Sequence, residues 1–191
     1  MLALSALAVC SACSSGAGEE GTREYSVPNP LCTVELPAGL YDPVYPPGEA
    51  AEVVREFLVH SDETLSPVGE CVVAVDGTTA VSVDASASSD GGIAPGVAPY
   101  LHEFGYDHAY DLADAESFTE GPRETAVWAD FAVTHVACVS SPELDLTGVT
   151  VSIRLDWAQG GPDRREELRE LIGPYADAYL ARLAPGTCEG G

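Results

Sequence analysis

The chain is expected to fold as an α+β domain: an antiparallel sheet of about four to five strands packed on one face by two helices. Three stretches predict it. Residues 71–84 (C-V-V-A-V-D-G-T-T-A-V-S-V-D) hold two β-branched runs around Asp76-Gly77, a dipeptide suited to the positive φ angles of a tight hairpin turn. Residues 149–157 alternate strictly, with Val149, Val151, Ile153, Leu155 and Trp157 on one side and Thr150, Ser152, Arg154 and Asp156 on the other. Such alternation marks a strand with one buried and one solvated face. Residues 163–183 then carry Leu168, Leu171, Ile172, Tyr175, Ala176, Tyr179, Leu180 and Leu183 at helical spacing. An apolar sheet face and an apolar helix stripe need one another, giving two layers.

Taken in order, residues 2–9 are apolar except for Ser5 and are followed by Cys10, Ser11, Ala12 and Cys13. A run this short cannot span a bilayer but suits the apolar part of a secretory signal. Segment 1–13 is therefore expected to be a signal, and no Lys or Arg precedes its apolar run, so the natural start is expected upstream of Met1. Residues 14–30 are rich in Ser, Gly and Glu and close on Pro28-Asn29-Pro30, the composition of a flexible tether. Residues 31–191 make one folded domain.

Pro47-Gly48-Glu49 is expected to open a helix running to about His60. Ala50, Val53, Val54, Phe57 and Leu58 fall on one face, and Glu52, Arg55 and Glu56 on the other. His60 would sit at its C-terminal end, favourable against the dipole. Residues 85–99 read as a loop by composition. Tyr100, Leu101 and Phe104 predict a short helix stopped by Gly105. Tyr106, His108, Tyr110 and Leu112 alternate with small or acidic residues and predict an edge strand. Residues 125–139 read as one long strand whose apolar face includes Val127, Phe131 and Val133, with Trp128 opposite. In the last helix, Asp163 and Glu166 imitate a capping box, and Gly173-Pro174 is expected to kink it.

Charge narrows the partners. Thirty-one acidic against eight basic residues give a net −23, which repels phosphate backbones and anionic headgroups. Nucleic acid is thereby disfavoured, and any membrane attachment must come from something other than charge. Cysteines narrow the compartment. Apart from Cys10 and Cys13, the chain has Cys32, Cys71, Cys138 and Cys188, an even count that reads as two disulfides in an exported protein. The pairing expected is Cys32–Cys71 and Cys138–Cys188. The closed loops of roughly 40 and 50 residues would contribute about 3–4 kcal/mol each. Zinc is disfavoured, because its cysteines come in close pairs and these lie dozens of residues apart.

Chemistry-bearing residues concentrate in one place. His102, Glu103, Asp107, His108 and Asp111 are a possible ligand group for an enzyme or metal sensor using residues 100–111. Two imidazoles six residues apart lie on different faces of a helix, and about 20 Å apart in a strand, so a polar connecting segment is the plainer reading and no metal site is assigned. Tyr100, Tyr106 and Tyr110 could line a small-ligand surface. His135 falls on the apolar face of its strand as a hydrogen-bonded core histidine. There is no nucleophile elbow, phosphate-binding loop or dinucleotide fingerprint, and no catalytic residue or cofactor is assigned.

The sequence Ala12-Cys13-Ser14-Ser15-Gly16, followed by Cys71 to Gly77, Trp128 with Cys138, and Cys188, resembles the secreted lipoproteins of actinobacteria. These carry a lipidation motif, a Ser/Gly tether and one small disulfide-bonded α+β domain. The resemblance implies lipid on Cys13, which Ala12 precedes as the motif requires, and a place on the outer face of the cytoplasmic membrane. It lends no activity. The function expected is a non-enzymatic binding module, a monomer, for a partner protein, a cell-wall component or a small molecule.

Overall fold

A computed structural model describes residues 21–58, 64–139 and 145–188. Cys10, Cys13 and His60 lie outside them.

The sheet is antiparallel and larger than expected, with seven strands: β1 (Ala51–Glu56), β2 (Gly69–Val75), β3 (Thr78–Ser89), β4 (Glu116–Glu120), β5 (Arg123–Val127), β6 (Phe131–Ala137) and β7 (Leu146–Leu155). Their order is β1-β2-β3-β7-β6-β5-β4, so two three-stranded meanders flank a central β7. The helices are α1 (Ala38–Tyr41), α2 (Val97–Glu103) and α3 (Arg165–Leu180).

The hairpin forms as read. Asp76 and Gly77 have φ of 50° and 75°, the pair of left-handed residues that lets β2 turn directly into β3. The strand β7 also forms, and Val149, Val151, Ile153 and Leu155 are buried. Trp157 falls beyond it, in a single turn covering residues 156–158. The terminal helix forms and runs on through Pro174. The expected capping box does not form: Arg164 is the N-cap, without a side-chain capping bond, and Asp163 accepts the backbone N–H of Arg165 at 2.9 Å.

Four expectations are corrected. The helix expected over 47–60 does not form over its described part, 47–58: residues 51–56 pair with β2 as an edge strand. The Asp76 carboxylate accepts the N–H groups of Glu49 (3.1 Å) and Ala50 (2.8 Å), which holds the entry extended, and cross-strand pairing overrides a helical hydrophobic pattern. Residues 85–89 continue β3 rather than looping. Residues 125–139 are not one strand: β5 and β6 are joined by a turn at 128–130, where Trp128 N–H bonds the Phe131 carbonyl at 2.7 Å. The turn has no Gly or Pro, so periodicity ran straight across it. Residues 106–113 make single helical turns, not an edge strand; the edge is β4, turned into β5 by Gly121 (φ 59°) and Pro122.

Both sheet faces are covered, rather than one. On the first, α3 and the segment around α1 bury Val73, Val83, Val151, Ile153, Leu171 and Tyr175 in the main core. On the second, α2 and the turns after it bury Tyr100, Leu101, Trp128, Phe131 and Val133. Part of the expected tether also joins the fold: Arg23 ion-pairs Asp42 at 2.5 Å, and Tyr25 and Val27 pack on the main core.

Both disulfides form in the expected pairing, Cys32–Cys71 and Cys138–Cys188, with Cα atoms 5.8 and 4.9 Å apart. The first fastens a turn in which Cys32 and Thr33 are both left-handed (φ 49° and 65°) against β2. Disulfides of this kind persist in oxidising compartments. Among the described residues no helix is long and apolar enough to cross a membrane.

Candidate functional site

The segment 97–114 is a lid on the sheet's second face. Val97, Tyr100 and Leu101 of α2 turn inward, and Gly105 (φ 70°) ends the helix. The lid then wraps Tyr106 and Tyr110 against Phe131, with ring centroids 5.1 and 4.6 Å from it. The Trp128 indole donates to the Asp111 carbonyl at 2.8 Å. All three tyrosines are held by the sheet beneath. The Tyr100 hydroxyl lies 2.9 Å from Ser152 Oγ, Tyr106 accepts from Arg154 at 3.0 Å, and Tyr110 donates to Asp130 at 3.3 Å.

The expected ligand group faces the other way. His102, Glu103, Asp107 and His108 are exposed. Asp107 lies between the imidazoles, 2.8 Å from His102 Nδ1 and 3.9 Å from His108 Nδ1. The hydrogen bond raises the His102 pKa and lowers that of Asp107. Asp111 caps the next turn by accepting Ala113 N–H at 2.9 Å. Among the described residues no group of three or more His, Cys, Asp or Glu is gathered to hold a metal.

His135 is a core histidine, as read. It lies under the lid side of β6, its Nδ1 3.0 Å from Thr150 Oγ1 and its Nε2 buried without a partner among the described residues. Burial pulls its pKa below the ordinary histidine value.

The group that sequence reading missed lies at the edge of the lid. Ser82 pairs with Arg154 across β3 and β7, Asp84 pairs with Ser152, and Glu70 of β2 pairs with Asp84, so these side chains share one face. Arg154 donates through Nε to Asp156 Oδ1 at 2.9 Å and lies over the Tyr106 ring, 5.6 Å from its centroid. Ser82 donates to the other Asp156 oxygen at 2.8 Å. Asp84 accepts no hydrogen bond from the described residues. Burial, and then the charge of Glu70, push its pKa up to about 6 against the pull of Arg154. Beside this group is a groove of about 370 Å³ lined by Val54, Arg55, Glu70, Val72, Ser82 and Arg154. In a second groove, between β4 and α3, the arginines are already paired: Arg123 with Asp177, and Arg169 with Glu116 at 3.0 Å.

These residues were in view as outward positions of two alternating strands. Nothing local says that β3 lies beside β7, so nothing local brings Asp84 near Arg154.

The second feature is the sheet edge at β1. Val53, Val54 and Phe57 are 44%, 52% and 68% exposed, and Val68 just before β2 is 56% exposed. No described residue bonds the outer backbone edge of β1, which ends the strand order. Glu52 and Glu56 flank the valines, and Arg55 is taken up by Glu70 at 2.7 Å.

Comparison with protein-family models, with curated proteins and with solved structures finds no match to this chain.

Proposed function

We propose that the chain is a non-enzymatic binding domain, held outside the cytoplasmic membrane by lipid on Cys13, that engages a partner protein along β1. The outer edge of β1, which no described residue bonds, carries this reading. An unpaired strand edge with exposed apolar side chains is a template for an added strand. The bulge between Val53 and Arg55 and the net charge of −23 both oppose pairing with a second copy. The complementary partner is an extended segment that alternates apolar and basic residues. The two disulfides support an oxidising location, and the resemblance to actinobacterial lipoproteins supports the anchor.

The test is photocrosslinking in intact cells, with a benzophenone amino acid at Val53 or Phe57 and, as control, at Glu103 on the opposite part of the surface. One partner joined from Val53 and Phe57 but not from Glu103, through a basic extended segment, is expected. No adduct, or the same adducts from all three positions, refutes the edge as the binding surface. Intact mass of the membrane-extracted protein reads the anchor: a diacylglyceryl mass on Cys13 supports it, and an unmodified Cys13 removes it.

A further inference from the structure

We infer that the strand added at β1 seats one tyrosine side chain in the groove that opens beside that edge. This deepens the reading of β1 as a docking edge and rests on it. The groove, about 370 Å³, starts at β1 itself: its lining runs from Val54 and Arg55 on β1, across Glu70 and Val72 on β2, to Ser82 on β3 and Arg154 on β7. These four strands are successive neighbours, so the groove crosses the sheet inward from its outermost strand. A strand added outside β1 would lie about 5 Å from it, with its side chains on this face beside Val54, at the groove's mouth. In strand addition the main-chain bonds give affinity, and a pocket for alternate side chains gives specificity.

Two observations choose the side chain. The mouth is apolar: Val54 lines it, and Phe57, whose N–H bonds the Glu70 carbonyl at 2.7 Å, follows on the same strand end, both largely exposed. The charges in the lining cancel in pairs, Arg55 with Glu70 at 2.7 Å and Arg154 with Asp156 at 2.9 Å. A charged side chain entering here would find each opposite charge already taken, and burying a charge without a partner is costly. A neutral one avoids that cost. The lining still has hydrogen-bonding capacity to offer, because Arg55 and Glu70 meet through one nitrogen and one oxygen only. Tyrosine answers both demands. Its ring covers Val54 and Val72 and takes the Arg55 guanidinium on its face, and its hydroxyl donates to the second Glu70 oxygen.

The experiment is isothermal titration of the disulfide-intact chain, at physiological ionic strength, with capped peptides Lys-Val-Lys-X-Lys-Val-Lys in which X is Tyr, Ala, Lys or Glu. One-to-one binding of the tyrosine peptide is expected, and alanine should weaken it about tenfold or more, the worth of burying one large side chain. Lysine and glutamate should do no better than alanine. Thr79→Trp, which fills the groove from an exposed position, should bring the tyrosine peptide down to the alanine peptide and leave the latter unchanged. Equal affinity for tyrosine and alanine, or a preference for lysine or glutamate, overturns the groove as a tyrosine site and leaves the edge standing. So does a tyrosine preference that Thr79→Trp does not touch. The tyrosine peptide N-methylated at the amides that would face β1 keeps its charge but cannot pair as a strand. Should it bind as well as its parent, or should no peptide bind up to about 1 mM, the edge and the groove fall together.

Discussion

The hydroxyl of Tyr100, on α2, lies 2.9 Å from the Oγ of Ser152, at the middle of the central strand. Both residues are buried. The contact clamps the lid onto a sheet face that alternation alone assigns to solvent. Tyr100→Phe leaves Ser152 without its partner, and a buried polar group stripped of its partner costs about 1–3 kcal/mol. Urea unfolding of the variant should show that loss with an unchanged slope, while Tyr106→Phe, half-buried, loses less. Equal stability of Tyr100→Phe and wild type would mean that the contact contributes nothing.

Asp84 gives the stability a pH dependence of known sign. Its pKa is higher folded, at about 6, than unfolded, at about 3.8. The folded state therefore holds the proton more tightly. The resulting stabilisation is complete below about pH 4 and is lost as pH rises through about 6. Asp84→Asn removes this dependence and should raise stability at pH 7.5 by about 1–3 kcal/mol. Thermal unfolding of both proteins from pH 4 to 8 checks it, with the curves separating progressively above pH 4. A variant less stable than wild type at pH 7.5 contradicts the reading.

His135 works in the opposite sense. Its pKa is depressed by burial, so it contributes stability above the ordinary histidine value that is lost as pH falls through the folded one. Its ring also occupies space that only glycine leaves open on β7. A Cβ on Gly148 would sit 2.3 Å from His135 Cε1 and 2.9 Å from the Val136 carbonyl. Gly148→Ala should cost about 1–3 kcal/mol from overpacking, read by urea midpoint. Gly77→Ala meets no neighbour but must hold φ at 75°. Its cost of about 1 kcal/mol is one of backbone conformation, and replacement by Asn should recover part of it.

The two disulfides should differ in what they protect. Removing either by paired Cys→Ala substitution costs about 2–5 kcal/mol. Cys32–Cys71 also restrains the left-handed pair Cys32 and Thr33, whose turn is otherwise held by the Arg182 guanidinium on the Thr33 carbonyl and by Tyr175 on that of Leu31. Loss of that bridge should expose amides of residues 31–34 to hydrogen exchange. Loss of Cys138–Cys188 should instead free the tail after α3. If both pairs give the same exchange pattern, the first bridge has no local role.

What was legible in the residues had a local cause. Asp76-Gly77 announces its turn because few other pairs tolerate two positive φ angles in succession. The stripe from Leu168 to Tyr179 announces its helix because its spacing matches only that period. Val53 and Val54 misled, since Val53, Phe57 and their neighbours fit a helical stripe as well as a strand, and pairing with Val72 and Val73 decided between them. Trp128 misled for a related reason: a turn made of Ala129 and Asp130 carries no breaker.

The site divides in the same way. The aromatic lid was visible as a cluster of tyrosines, but its direction was not, and the residues with obvious chemistry, His102 and His108, proved to be the ones facing water. Asp84 and Arg154 are 70 positions apart and meet because β7, last of the strands in the chain, inserts beside β3 in the middle of the sheet. Cysteine number, acidic charge, the hairpin and the last helix follow from the sequence alone, since each depends on residues close together or on composition. Strand order, the burial of both sheet faces, the place of β1 at the end of the sheet and the nearness of Asp84 to Arg154 belong to the tertiary structure, because each depends on which distant segments come to lie side by side, and only the packing of the whole chain settles that.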